Sequence, residues 1–369
     1  MHYTGTIWRP PYEADSLLLE VTAGCTHHKC KFCTLYNDLP FKFRMSPLQD
    51  IEHDLLEAQL LYSDPISMMT ARLQGLPIST PIQRVFLTGA NPFVLKTEKL
   101  LEIADLIYKY LPAIETIGCF ARITDPVKKS DNDLMRLRQA GYNGLTIGVE
   151  TGDDTALSFM RKGYTSQDIL TQCKRLEQAG IEYGFFYLTG ISGKGNGEIS
   201  AKASVEIFNQ LHPFLVGPNM LTIYPDSDLY RDMQNGTWQE EGELEKYLEL
   251  RTLVQNLRIP TYFAAMGASN AFQLRGHLPD DKEKLLATLD KIITEVNEDD
   301  LRRYRKNLPH LYSGDNIASQ PPFLCSDGMA LAILMDALQK YMLTSFEKAL
   351  PFLEISWYIF QARKSNTYF

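Results

Sequence analysis

Between residues 16 and 225, six short apolar runs alternate with longer helical patterns, and this alternation limits what the chain can fold into. The runs cover 16–22, 84–89, 116–122, 144–150, 182–188 and 219–225. Amphipathic stretches at 46–62, 97–110, 130–140, 153–160, 166–179 and 198–211 separate them, while 63–83 is turn-rich. Ser46-Pro47 is a helix-start signal, and Gly141 and Gly180 are stops. Strands joined by helices long enough to cross over are parallel, and such crossovers are right-handed. The expected class is therefore α/β, curled into a barrel or left open. In barrels of this type the chemistry sits at the carboxyl ends of the strands. The unusual residues of this sequence collect at those ends: Thr88-Gly-Ala-Asn91, Arg122, Glu150, Leu188-Thr-Gly190 and Tyr224-Pro-Asp226.

The first strand leads through Ala23-Gly24 into Cys25-Thr-His-His-Lys-Cys30-Lys-Phe-Cys33. Three clustered thiols are soft ligands suited to an iron–sulfur cluster or to zinc. Three cysteines on a four-iron cubane leave one iron without a protein ligand, as a cluster needs if it is to bind a substrate or cofactor directly. Zinc could instead take Cys25, Cys30 and Cys33 with His27 or His28, although structural zinc usually draws on two separated ligand pairs. Cys119, Cys173 and Cys325 are scattered and read as small packed hydrophobes.

The glycine-cysteine loop after the first strand, with aromatic Phe32 just before the last cysteine, resembles the radical S-adenosylmethionine (AdoMet) superfamily. Four residues between Cys25 and Cys30, where three are commonest, match some of its subgroups. Gly148-Val-Glu150 and the sheet pattern resemble the subset that includes oxygen-independent coproporphyrinogen oxidases and methylthiotransferases. The resemblance implies a six-stranded partial (β/α)6 TIM-like barrel over residues 1–230. A helical extension over 231–310, closing the barrel mouth, and a helical cap over 311–369 would follow. It also implies a [4Fe-4S] cluster on Cys25, Cys30 and Cys33, with AdoMet on the open iron. An external donor such as flavodoxin or ferredoxin would supply the electron that cleaves AdoMet to a 5′-deoxyadenosyl radical, which abstracts hydrogen from a substrate.

Site roles follow from the same resemblance. Phe32 would lie against the adenine. Gly89, Ala90 and Asn91 stand where the family often carries a Gly-Gly-Glu-like stretch for the methionine amino group; the glutamate is absent here. Glu150 would hold the ribose hydroxyls, and Lys162, or Arg161 beside it, the AdoMet carboxylate. Arg122, ending an apolar strand, needs an anion. The loop Gly190-Ile-Ser-Gly-Lys-Gly-Asn-Gly197 lacks phosphate-loop spacing and reads as a flexible cover beside Leu188. Tyr36, Tyr224, Asp226, Arg275 and His277 are candidate substrate contacts.

A net charge of −8 argues against a phosphate-backbone binder. It favours a small-molecule or peptide substrate over RNA modification. A methylthiotransferase would also need three further well-spaced cysteines. No apolar run is long enough to span a membrane, the start lacks a signal-peptide pattern, and clustered thiols suggest a reducing cytoplasm. The rival from another class is a non-catalytic zinc or iron–sulfur protein.

Overall fold

The computed structural model describes residues 1–5, 7–73 and 82–304; the expected cap over 311–369, with Cys325, lies outside them. In chain order the elements begin with β1 (Leu17–Glu20), β2 (Thr22–Gly24), β3 (Phe43–Met45), α1 (Leu48–Ser63), α2 (Pro65–Leu73) and β4 (Arg84–Thr88). Then come α3 (Thr97–Tyr110), β5 (Thr116–Ala121), α4 (Asp131–Gln139), β6 (Tyr142–Glu150), α5 (Asp154–Phe159), α6 (Ser166–Gln178) and β7 (Tyr183–Thr189). The remainder is α7 (Gly197–Phe208), β8 (Leu215–Met220), α8 (Asp228–Gln234), α9 (Glu243–Asn256), β9 (Thr261–Ala265), β10 (Leu274–Leu278) and α10 (Lys282–Glu295).

One eight-stranded sheet runs β1-β4-β5-β6-β7-β8-β9-β10. It is parallel from β1 to β9, with β10 antiparallel on β9. The fold is thus α/β with a mostly parallel sheet. The six expected strands are all present. The last of them lies earlier in the chain than expected, at Leu215–Met220 instead of 219–225. Pro218 disguised it, because proline removes a ladder donor. The loss is tolerated because β8 pairs with β9 only through Leu215 and Val216, so no strand needs a donor from Pro218 on that side, and its carbonyl accepts from Asn270 Nδ2 (3.1 Å). β9 and β10 lie within the stretch read as helical. Their alternating burial, every second residue inward, is the signal of one-sided strands, but each is only five residues long.

Helix starts follow local chemistry. Ser130 caps α4 and Thr165 caps α6, each in a reciprocal box with Asp133 or Asp168. Alternate residues along each strand enter the core under the helices: Val85 and Leu87, Ile117 and Cys119, Leu145 and Ile147, Phe185 and Tyr187, all fully buried. Each such side chain contributes about 1.5–3 kcal/mol of burial free energy. Cys119 and Cys173 are core residues, as read from the sequence. No helix among the described residues is long and apolar enough to cross a membrane.

Candidate functional site

The chain leaves β1 and turns at β2, which pairs with β3 instead of continuing the main sheet. Gly24 makes that turn possible. Its φ is +78°, and a Cβ there would sit 2.2 Å from the Lys42 carbonyl. The cysteine loop follows, anchored at several points. Cys25 N donates to Lys42 O (2.9 Å), Lys31 N to Met160 O (3.2 Å), and Leu229 N to Lys31 O (2.9 Å). His27 Nε2 donates to Arg161 O at 2.6 Å, and His28 Nε2 lies 3.0 Å from Asn37 Oδ1. The loop is therefore held between the turn after α5 and the start of α8.

Cys25, Cys30 and Cys33 are free thiols, all partly exposed. Among the described residues the one set of three candidate ligands whose atoms all lie within 4.8 Å of one another is His53, Asp54 and Glu57. The three sulfurs are thus more widely spread than a single tetrahedral zinc requires, where Zn–S bonds of about 2.3 Å bring sulfurs to roughly 3.8 Å. A spread set of soft donors fits a polynuclear cluster. Burial pushes the Cys33 thiol up to about 12 and raises Cys30 as well. A metal binding there displaces those protons.

The strand ends bring most of the expected residues to this loop. Lys162, almost fully buried, donates to Glu150 Oε1 (2.9 Å) and Gly148 O (3.2 Å). Burial alone pulls the Lys162 ammonium down, but the Glu150 carboxylate outweighs it and holds the pKa above the ordinary value. The Lys162 Nζ lies 5.8 Å from the Phe32 ring centre. Arg122 donates to Lys162 O (2.5 Å) and Thr124 Oγ1 (3.0 Å), and no carboxylate among the described residues forms an ion pair with it. Phe32 and Leu188 pack together on a second apolar cluster of Met160, Ile191, Leu221, Leu229 and Trp238. Glu150, Arg161 and His28 have φ of +64°, +56° and +46°. All three positive-φ residues other than glycine among the described residues lie here, where such strain is typically stored.

Two candidates are used differently from the sequence reading. Asn91 is fully buried; it donates to Thr26 Oγ1 (3.0 Å) and to Asp125 Oδ1 (3.1 Å), so its side chain ties the cysteine loop to the turn after β5. Gly89, at φ +118°, is required by close packing, since a Cβ would meet Thr22 Oγ1 at 2.0 Å. Gly89 and Ala90 remain partly exposed as backbone beside the loop. The Gly190–Gly197 loop is pinned, not free: Gly190 N donates to Glu249 Oε2 (2.7 Å), Lys194 N to Gln239 O (2.9 Å), and Gly195 N to Glu245. Arg275 and His277 are exposed on β10, Tyr36 and Tyr224 lie near Cys33, and Asp226 accepts from Asn37.

Asp125 was missed. It lies in the turn after β5, in Thr124-Asp-Pro126, is 1% exposed, and accepts from Arg122 N (2.8 Å) as well as Asn91. Burial pushes its carboxyl up to about 6. The folded state therefore favours the proton, and the stabilisation from Asp125 is full below about pH 4 and lost as pH rises through about 6. The difference in stability between the native chain and Asp125→Asn should change by about 2 kcal/mol between pH 4 and 7, as read from urea midpoints at each pH. A pH-independent difference would refute it.

Residues 19–201 match the family described as the radical SAM superfamily. They are a radical SAM domain. Members of this superfamily use a [4Fe-4S] cluster and AdoMet, and the matched residues include Cys25, Cys30, Cys33, Phe32, Arg122, Glu150, Lys162 and Leu188. The heme chaperone HemW of Bacillus subtilis is 25% identical over 170 residues, 45% of this chain and 44% of that protein. The match thus spans less than half of that relative's length. Coproporphyrinogen III oxidase (HemN) from Escherichia coli aligns at 16% identity over 57% of this chain and 44% of that one, TM-score 0.42. Methylornithine synthase (PylB) aligns at 14% identity over 78% and 85%, TM-score 0.45.

Proposed function

We propose that the chain is a radical AdoMet enzyme whose [4Fe-4S] cluster is held by Cys25, Cys30 and Cys33, acting on a small molecule or peptide. The supporting observation is the donor set: three thiols in the radical SAM domain, too spread for one zinc, at the strand ends beside Arg122 and the Lys162–Glu150 ion pair. When bound, the cluster and AdoMet supply a 5′-deoxyadenosyl radical, given an electron from a donor such as flavodoxin or ferredoxin.

The protein's own groups orient and protect. Arg122, with no carboxylate of its own, and Lys162 offer cationic N–H groups to the AdoMet carboxylate. Glu150, already oriented by Lys162, accepts from ribose hydroxyls. The partly exposed Gly89–Ala90 backbone offers carbonyls to the amino group in place of the missing glutamate. Phe32 and Leu188, packed on the second apolar cluster, exclude water from the loop and present an apolar surface to adenine.

The test is anaerobic reconstitution with iron and sulfide, then dithionite and AdoMet. Equal amounts of 5′-deoxyadenosine and methionine are expected. A colourless zinc protein would overturn the proposal. A fully loaded cluster that binds AdoMet without cleaving it would also overturn it, leaving a binding role such as HemW's name describes.

A further inference from the structure

The sheet has a second, inner face whose residues lie outside the two apolar clusters. Residues alternating with the core set, namely Leu18, Phe86, Phe120, Thr146 and Phe186, point away from the helices. None of the four apolar members belongs to either apolar cluster. Phe86 is buried, but Phe120 and Phe186, in the middle of β5 and β7, are only half-buried. Parallel strands normally bury both faces, so the part-exposed Phe120 and Phe186 mark where this inner face is open, while Leu18, Phe86 and Thr146 on it are buried.

That surface is aromatic and continuous. Phe86 and Phe120 meet edge to face (5.0 Å, 86°), Phe120 and Phe186 lie 6.4 Å apart at 60°, and Phe186 meets Tyr12 at 6.4 Å and 77°. Its amino-terminal end is closed. The Tyr12 hydroxyl bonds Thr146, the Tyr12 ring packs on Phe214 (6.0 Å), and buried Glu13 pairs with Arg84 (2.7 Å). The carboxyl end is the one that carries the cysteine loop. Arg122, just past the end of β5, and Leu188, on β7, stand two residues beyond Phe120 and Phe186, a rise of about 7 Å, roughly one ring. Thr88, two residues beyond Phe86 on the same face, is fully buried with its hydroxyl unpartnered.

We propose that the substrate presents a planar aromatic or conjugated ring to Phe120 and Phe186 on this inner face. A hydrogen-bonding substituent of that ring would meet Thr88 Oγ1. The assignment rests on the function proposed above and names its substrate class. Edge-to-face and offset packing on two rings gives an aromatic ligand roughly tenfold tighter binding than a saturated one of equal size.

The experiment uses the full chain, anaerobically reconstituted with AdoMet, and two probes of one skeleton: 2-naphthoate and decahydro-2-naphthoate. Calorimetry should show 2-naphthoate binding about tenfold more tightly. In the double variant Phe120→Leu/Phe186→Leu, which keeps apolar volume, the preference should vanish while the electron paramagnetic resonance signal of the cluster with AdoMet persists. Equal binding of the two probes to the native chain overturns the proposal. So does a preference that survives in the double variant, which would place the aromatic probe elsewhere. An absent cluster signal in the native chain indicts the functional reading instead, and is thereby distinguished from failure of the ring assignment.

Discussion

Cys33→Ala is expected to abolish AdoMet cleavage, by at least a thousandfold, and to yield protein with little bound iron after reconstitution. Cys33 stands at the end of the loop, next to Phe32, and its N–H already donates to Cys30 O at 3.2 Å, closing the turn that presents the last two sulfurs. The two remaining thiols cannot share a cubane's charge, and catalysis rests on a cofactor whose place the protein sets. The loop itself should survive, because Lys42 O, Met160 O and Leu229 N hold it through backbone groups. The variant should therefore keep its melting temperature within a few degrees of the unreconstituted native chain. Cys119→Ala, in a fully buried core position, should show the opposite pattern: some stability lost, cluster and cleavage kept. Iron content, cleavage and thermal melts of the two variants check both halves.

Lys246→Ala is expected to cost about 3–5 kcal/mol of stability. Lys246 is fully buried and donates to Glu240 (2.8 Å) and Glu243 (3.2 Å). Glu241 and Glu249 lie beside it, 3% and 0% exposed. Burial raises both of their carboxyls above the ordinary range, and they sit close enough to share a proton. Without the ammonium, these buried acids lose the cation that lies among them. A loss of that size is a large part of the 5–15 kcal/mol that holds a typical domain together. The sign with pH follows from the raised carboxyl values. Proton binding to the Glu241–Glu249 pair favours the fold, so the stability of both proteins declines as pH rises and these groups ionise. The variant declines more steeply, because ionisation there is uncompensated. Because Glu249 also accepts from Gly190 N, the Gly190–Gly197 loop should loosen first, visible as faster amide exchange there. Equal denaturant midpoints for Lys246→Ala and the native chain would refute this account.

The fold was largely legible because strand and helix periods differ. The expected helix at 97–110 coincides with α3, whose buried Leu100, Ile103, Ala104 and Ile107 follow the helical spacing. Strands β4 to β7 were legible as apolar runs because parallel strands bury most of their residues. What failed was short or interrupted. Pro218 hid the start of β8, and the five-residue strands β9 and β10 gave too few residues for a period to emerge.

At the site, sequence position identified which residues gather but not how they pair. Glu150 and Lys162 were given separate tasks, yet α5 lies between them and folds back so that they meet at 2.9 Å. Asn91 or a main-chain carbonyl was expected to stand in for the missing glutamate, and the Asn91 amide donates to buried Asp125, which carries no distinctive spacing. The left-handed backbone of His28, Glu150 and Arg161 is imposed by the surrounding contacts and has no residue-level signature. The inner aromatic face was hidden for the opposite reason. Phe86, Phe120 and Phe186 look like ordinary core residues until the alternation of each strand shows that another set fills the core.

The central claim is that three thiolates hold a cubane with one iron left for AdoMet, and 57Fe Mössbauer spectroscopy of the reconstituted chain tests it most directly. The account predicts a [4Fe-4S] spectrum in which one iron becomes distinct when AdoMet is added. A spectrum unchanged by AdoMet, with every iron already fully ligated by the protein, would contradict it.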